Sequence, residues 1–126
     1  MLKDFLLVGI GGGIGSMLRY GIMLLAKFFT FPSTVGTIFV NIVGSLVIGV
    51  LLATCDKNSW QLLLAIGLCG GFTTFSTFSS QTVELLRSGQ TFTGIVYIVS
   101  SVVLCLMAVW AGLYVGEKIM QASVVG

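Results

Sequence analysis

Asn41 stands inside a long apolar stretch, with Thr37 one helical turn before it and Ser45 one turn after. Residues four apart share a helix face, so an amide would lie in line between two hydroxyls. A later stretch carries Thr73, Thr74, Ser76, Thr77 and Ser79, and a last one Ser100 and Ser101. All are uncharged groups able to donate a hydrogen bond. Among them come Phe75 and Phe78, three apart on one helix face. An aromatic ring is electropositive at its edge, so rings turned edge-on beside such donors could line a path for a small anion. That path would offer donors without a fixed counter-charge, and would suit an anion that accepts strong hydrogen bonds. Plainer uses compete with this one. Ser and Thr within a helix commonly bond the preceding turn of their own backbone, an Asn can hydrogen-bond across to a neighbouring helix, and paired Phe rings ordinarily pack.

The stretch that carries Thr73 and Thr74 holds a second anomaly, the run Gly70-Gly71-Phe72-Thr73-Thr74. Paired glycines followed by paired β-branched residues are a poor place to continue a helix. A helix broken there frees carbonyls at mid-depth, and freed carbonyls can ligate a hard cation such as Na⁺. The alternative is an intact helix whose glycines only allow close packing. Ionisable groups are sparse. Arg19 lies about seven residues from the end of an earlier apolar run that closes at Ala26, where its stem could reach the interface or its charge could attract anions. Glu84 lies one turn before Arg87, and the spacing predicts a helix-end ion pair. No carboxylate falls mid-stretch to carry a proton.

These groups must be positioned by elements that suit lipid. The 126 residues are 56% hydrophobic and 8% charged, with a mean hydropathy of +1.11, whereas soluble domains are about a quarter charged. A helix crosses the hydrocarbon layer in about 20 residues, so the chain holds four spans, predicted at 5–26, 34–54, 60–87 and 92–116, as one transmembrane domain over 1–126. The start, with Lys3 ahead of an apolar run, superficially resembles a signal peptide, but the run continues to Ala26 and reads as the first span. The connections are short, so neighbouring helices run antiparallel. There is no His, and Cys55, Cys69 and Cys105 are scattered without CxxC spacing, which suggests small hydrophobes rather than zinc ligands or a disulfide framework. A net charge of +2 is too small to suggest a nucleic-acid partner, and no Lys/Arg-rich run is present.

Lys3, Lys57 and Lys118 fall on one side of the membrane, and Lys27, Arg87 and the deeper Arg19 on the other. Lys/Arg bias sets orientation. A chain with almost none could insert both ways up and form an antiparallel homodimer, unless other features fix one orientation. Gly9-x-x-x-Gly13 and Gly11-x-x-x-Gly15 in the first span, and Ala108-x-x-x-Gly112-x-x-x-Gly116 in the fourth, predict close helix approach.

Three stretches carry a resemblance to a known family: Gly12-Gly13-Ile14-Gly15-Ser16-Met17-Leu18-Arg19-Tyr20, Gly36-Thr37-Ile38-Phe39-Val40-Asn41-Ile42-Val43-Gly44-Ser45, and Gly70-Gly71-Phe72-Thr73-Thr74-Phe75-Ser76-Thr77-Phe78-Ser79. In sequence and order they resemble the Fluc family of fluoride channels, also called CrcB proteins. The resemblance implies an all-α integral membrane fold of four helices per subunit, the third broken near its middle, in a dual-topology antiparallel homodimer. It implies two passive pores that export fluoride from the cytoplasm across a bacterial plasma (inner) membrane and reject chloride. Phe75 and Phe78 would line each pore, with Asn41 a pore-facing amide, Ser76 and Thr77 on a hydroxyl track, and Thr37, Gln81, Tyr97 and Ser101 along the same path. Arg19 would stand at the vestibule. Backbone carbonyls of Gly70 and Thr73 from both subunits would hold a structural Na⁺ at the dimer centre.

The chain departs from the family pattern at Gln81, where members often carry a glutamate; an amide hydrogen-bonds but has no charge and no titratable proton. The rival reading is a small four-helix proton-coupled multidrug exporter. It requires a membrane-embedded carboxylate, which the first span lacks. A non-transporting assembly subunit would explain the small-residue packing but leave the donor track unexplained. None of these readings makes the protein an enzyme.

Overall fold

The computed structural model describes residues 1–55 and 58–125, and among them every regular element is helical. Helix α1 spans Leu2–Phe28 and α2 Ser33–Thr54. A π-helix, π1, follows at Gln61–Cys69 and runs into the short α3, Gly70–Phe72. Helix α4 occupies Phe75–Arg87 and α5 Thr91–Val125. Four helical segments, Leu2–Phe28, Ser33–Thr54, Gln61–Arg87 and Thr91–Val124, are long and apolar enough to cross a membrane. Asp56 and Lys57 lie outside the described residues, so the part of the charge count that rests on Lys57 is not placed.

The spans begin and end where backbone chemistry dictates. Pro32 caps α2 with φ −57° and ψ 147°, since its fixed φ and missing N–H suit a helix start. After α4 the Ser88, Gly89 and Gln90 amides return to the carbonyls of Glu84, Leu86 and Leu85. Gly89 takes φ +84°, the left-handed turn that lets a helix stop within three residues. Helix α5 overruns its predicted end at 116 because nothing there breaks it: Glu117, Lys118, Met120 and Gln121 are good helix formers. At 1.5 Å per residue its 35 residues reach about 52 Å, well beyond the hydrocarbon layer.

Lipid-facing helices gain little from apolar burial against one another, so close approach comes from small residues. Helix α1 meets π1 and α3 along Gly11 and Gly15: a Cβ on Gly11 would run into the Leu63 carbonyl, and one on Gly15 into the Leu68 carbonyl. Gly67 and Gly71 answer from the other side, against Val8 and Gly12. Of the two predicted glycine pairs on α1, Gly11 and Gly15 make this contact, whereas Gly9 and Gly13 face open space within the chain. Helices α2 and α5 close the same way, Gly49 on Gly112 backbone and Gly116 on Val50 and Ala53. Outward-facing side chains such as Phe5, Met17, Leu52, Leu106 and Trp110 are more than half exposed, a surface fit for acyl chains and unfit for water.

The predicted Glu84–Arg87 ion pair does not form; the ion pair among the described residues joins the Met1 ammonium to Asp4 at 4.0 Å. Glu84 and Arg87 both stand exposed at the helix end, where such a pair gains only a few tenths of a kcal/mol.

Candidate functional site

The backbone leaves helical geometry at Thr73 (φ −86°, ψ 158°) and Thr74 (φ −148°, ψ 120°). An unbroken α-helix would join the amides of Thr74, Phe75 and Thr77 to the carbonyls of Gly70, Gly71 and Thr73. Here three of those six groups, the Thr74 and Thr77 amides and the Gly71 carbonyl, find other partners. The Thr74 N–H donates to Asn41 Oδ1 at 2.7 Å, and Asn41 Nδ2 donates back to the Thr74 carbonyl at 3.0 Å. The Thr77 N–H donates to Thr74 Oγ1 at 3.1 Å, which makes Thr74 the N-cap of α4. The Gly71 carbonyl accepts from Arg19 Nε at 3.0 Å and, more weakly, from Ser16 Oγ at 3.5 Å. The Cys69 carbonyl takes both the amide and the hydroxyl of Thr73, at 3.0 and 2.9 Å. Neighbouring helices thus hold the interruption from two sides, α1 through Arg19 and α2 through Asn41.

Beyond the interruption an aromatic line leads away. The Phe75 and Phe78 rings lie 5.6 Å apart at 48°, and Phe78 and Tyr97 5.2 Å apart at 53°. Phe75 is 79% exposed and Tyr97 only 6%. The Tyr97 hydroxyl donates to Gln81 Oε1 at 2.6 Å, and the fully buried Thr37 hydroxyl stands beside it. The Gln81 amide nitrogen makes no hydrogen bond among the described residues. Ser101 is 6% exposed, and its Oγ likewise finds no partner among them. A cavity of about 530 Å³, open to the surface, is lined by Asn41, Gly70, Thr73, Phe75, Phe78 and Ser101 among mainly apolar neighbours. No cluster of three or more His, Cys, Asp or Glu able to hold a metal occurs among the described residues, so any cation here would rely on uncharged oxygen.

Residues 6–113 match the family model described as CrcB-like protein, Camphor Resistance (CrcB). The chain belongs to the CrcB family. It is 42% identical over 123 residues to the Fluoride-specific ion channel FluC of Phocaeicola vulgatus, covering 92% of this chain and 100% of that one. To the protein of the same name from Campylobacter jejuni it is 44% identical over 117 residues, 89% of this chain and 96% of the other. The Paracoccus denitrificans protein of that name is 44% identical over 120 residues, 93% and 97% of the two chains.

In this CrcB chain the residues singled out from the sequence fall into several groups. Asn41, Gly70, Thr73, Phe75, Phe78 and Ser101 share the cavity. Thr37, Tyr97 and Gln81 form a hydrogen-bonding cluster behind Phe78. Arg19 stands on the α1 side, on the Gly71 carbonyl. Ser76 and Thr77 surround the Thr74 hydroxyl, at 3.3 and 3.1 Å. Several other hydroxyls bond their own helix: Thr37 to Ser33, Ser79 to Phe75, Thr82 to Phe78 and Ser100 to Val96. Sequence reasoning missed Ser16 and Gly71. The spacing of Ser16 and Arg19, one turn apart on α1, was the available signal.

Proposed function

We propose that this chain is a fluoride-selective passive ion channel, a multi-pass protein of a bacterial plasma membrane and not an enzyme. The observation that carries this is the match along nearly the full length of both chains to relatives named Fluoride-specific ion channel FluC. The site agrees with it in kind: aromatic rings, a tyrosine, an amide and hydroxyls converge with no carboxylate among them. Such a lining replaces the hydration of a small, strongly hydrogen-bonding anion without trapping it against a fixed positive charge. HF crosses lipid, dissociates at neutral internal pH and leaves F⁻ behind. A negative-inside potential, worth about 2.3 kcal/mol per charge per 100 mV, then moves F⁻ outward with no pump.

In this reading residues 1–126 act as one four-helix unit, and two copies pair antiparallel to give two pores. The balanced Lys/Arg distribution supports that pairing, as does a cavity open along α2 and π1 that a second copy would close. The third span is read as functionally broken, with Thr73 and Thr74 extended in support. Phe75 and Phe78 line the pore, followed by Tyr97, Thr37, Ser76, Thr77, Gln81 and Ser101, while Asn41 offers the one N–H that Thr74 leaves over. Na⁺ is a structural ion in this proposal, held by the Gly70 and Thr73 carbonyls of both subunits. The donor set fits: the amides that would bond these two carbonyls in a continuous helix go instead to Asn41 and Thr74 Oγ1, and carbonyl oxygen suits a hard cation. The exporter reading lacks its essential group, since Glu84 is exposed near a helix end.

The test is efflux from KF-loaded liposomes into fluoride-free buffer, followed with a fluoride electrode after a K⁺ ionophore is added. Rapid F⁻ release, with KCl-loaded vesicles staying tight, is expected. Well-folded protein that releases no F⁻ would refute the proposal.

A further inference from the structure

Arg19 is the one cation deep within α1, and its charge is the obvious reason to place it near an anion path. The hydrogen bonds point elsewhere. Its Nε, the nitrogen inside the chain of the side chain rather than one at the guanidinium tip, donates to the Gly71 carbonyl at 3.0 Å. Gly71 lies in α3, the last helical turn before the extended pair Thr73 and Thr74. In an unbroken helix this carbonyl would accept from the Phe75 amide. The interruption removes that donor, and an oxygen left bare inside a membrane protein is costly. Ser16 Oγ, one turn earlier on α1, reaches the same oxygen at 3.5 Å. Gly71 can come this close because it has no side chain: a Cβ there would run into the Gly12 carbonyl.

We infer that Arg19 is a positioning residue, whose Nε–H ties the end of the first half of the third span to α1 and so fixes the interruption, and that its positive charge is secondary. The inference rests on the channel reading above. The Gly71 tie is the α1 counterpart of the Asn41–Thr74 pair. The two anchors sit on opposite sides of Thr73, so together they set where Phe75 and the rest of α4 begin. Of the carbonyls the break exposes, Arg19 and Ser16 occupy Gly71 alone, which leaves Gly70 and Thr73 outside their reach.

Side-chain length gives a clean test. Gln carries its amide nitrogen at the same atom position along the chain as Arg Nε, so Arg19→Gln keeps the donor and removes the charge. Arg19→Lys keeps the charge but moves the nitrogen one bond further out, and Arg19→Met removes donor and charge together. Maximal F⁻ efflux and the half-saturating F⁻ concentration are measured for each variant in liposomes, with size-exclusion elution as the check on assembly. The expected order of maximal rate is native, then Arg19→Gln within about threefold, then Arg19→Lys. Arg19→Met should lie at least tenfold below native, the loss that a hydrogen bond from a charged donor typically represents. The half-saturating concentration should stay near the native value in Arg19→Gln. If Arg19→Lys matches native while Arg19→Gln falls to the level of Arg19→Met, the charge is what matters and the inference is overturned. Native rates in all three variants overturn it equally. Should Arg19→Met fail to assemble, the order of Arg19→Gln and Arg19→Lys still decides. Absence of efflux from the native protein would instead strike the channel reading itself.

Discussion

Replacing Asn41 by Asp changes one atom of the pair that holds the interrupted span. The Thr74 N–H still finds an oxygen at the position it now reaches at 2.7 Å, but the group facing the Thr74 carbonyl at 3.0 Å becomes an acceptor. Two outcomes are open to the new side chain. If it ionises, the Thr74 carbonyl loses its side-chain donor and keeps only the bond of the helix it caps, costing about 1 kcal/mol, and a charge near the centre of a span adds about 2.5–3.5 kcal/mol. If it stays protonated, its O–H can donate to that carbonyl as the amide did, and the native pairing survives. Holding a carboxyl of ordinary pKa about 3.9 protonated at pH 7 costs about 4 kcal/mol, at 1.36 kcal/mol per pH unit. The two routes come out similar, so Asn41→Asp should destabilise the protein by about 4 kcal/mol at neutral pH.

The sign of the pH dependence follows. The folded protein favours the protonated form of the introduced carboxyl, and the unfolded chain ionises it at its ordinary value. The folded state therefore binds more protons over that range, so stability falls as pH rises and recovers as pH drops toward the unfolded value. By pH 5.5 the protonation cost is only about 2 kcal/mol. Thermal unfolding in detergent, read as the fraction still eluting as native protein after heating, measures both points. At about 3–4 °C per kcal/mol for a chain of this size, the midpoint should drop by roughly 12–16 °C at pH 7 and by about half of that at pH 5.5. Asn41→Ala, which abandons both Thr74 groups, should lose stability without the pH dependence. An Asn41→Asp protein as stable as native at pH 7, or one whose deficit ignores pH, would show that the Asn41–Thr74 pair does not carry the interruption.

Phe75→Ile and Phe78→Ile should each lower F⁻ efflux at least tenfold, equivalent to about 1.4 kcal/mol, with normal size-exclusion profiles; normal flux in both would remove the rings from the pathway. Gly71→Ala forces a methyl into the Gly12 carbonyl and should cost about 1–3 kcal/mol or more, whereas Gly9→Ala, in open space, should be neutral by the same heating assay. Tyr97→Phe removes the donor to Gln81 Oε1, worth about 1 kcal/mol. Its effect on flux should largely vanish in a Gln81→Ala background, and additive losses in the double variant would mean that the two groups act separately.

What the sequence made legible and what it hid divide along a physical line. Membrane residence, four spans and the Gly11–Gly15 contact rest on composition and local spacing, which the chain displays in order. The unusual run from Gly70 to Thr74 marked where a helix would continue poorly, because propensity is local too. The partners that resolve the interruption were not legible, since Asn41 lies 33 residues from Thr74 and Arg19 lies 52 from Gly71. The same distance hid the Tyr97–Gln81 bond across 16 residues. This changes how the polar residues divide between structure and transport. The sequence presents Asn41, Arg19, Thr73 and Thr74 as groups that could face an ion, yet in the fold Asn41, Arg19 and Thr74 each bond a backbone group that the interruption exposed, and the Thr73 hydroxyl bonds the Cys69 carbonyl. The groups left over include the Gln81 amide nitrogen, the Ser45 and Ser101 hydroxyls, one Asn41 N–H and the aromatic edges. A break in a membrane helix creates its own demand for hydrogen bonds, and that demand is met before any solute arrives. A polar side chain near such a break is therefore a backbone partner first, and only what remains unspent can serve an anion.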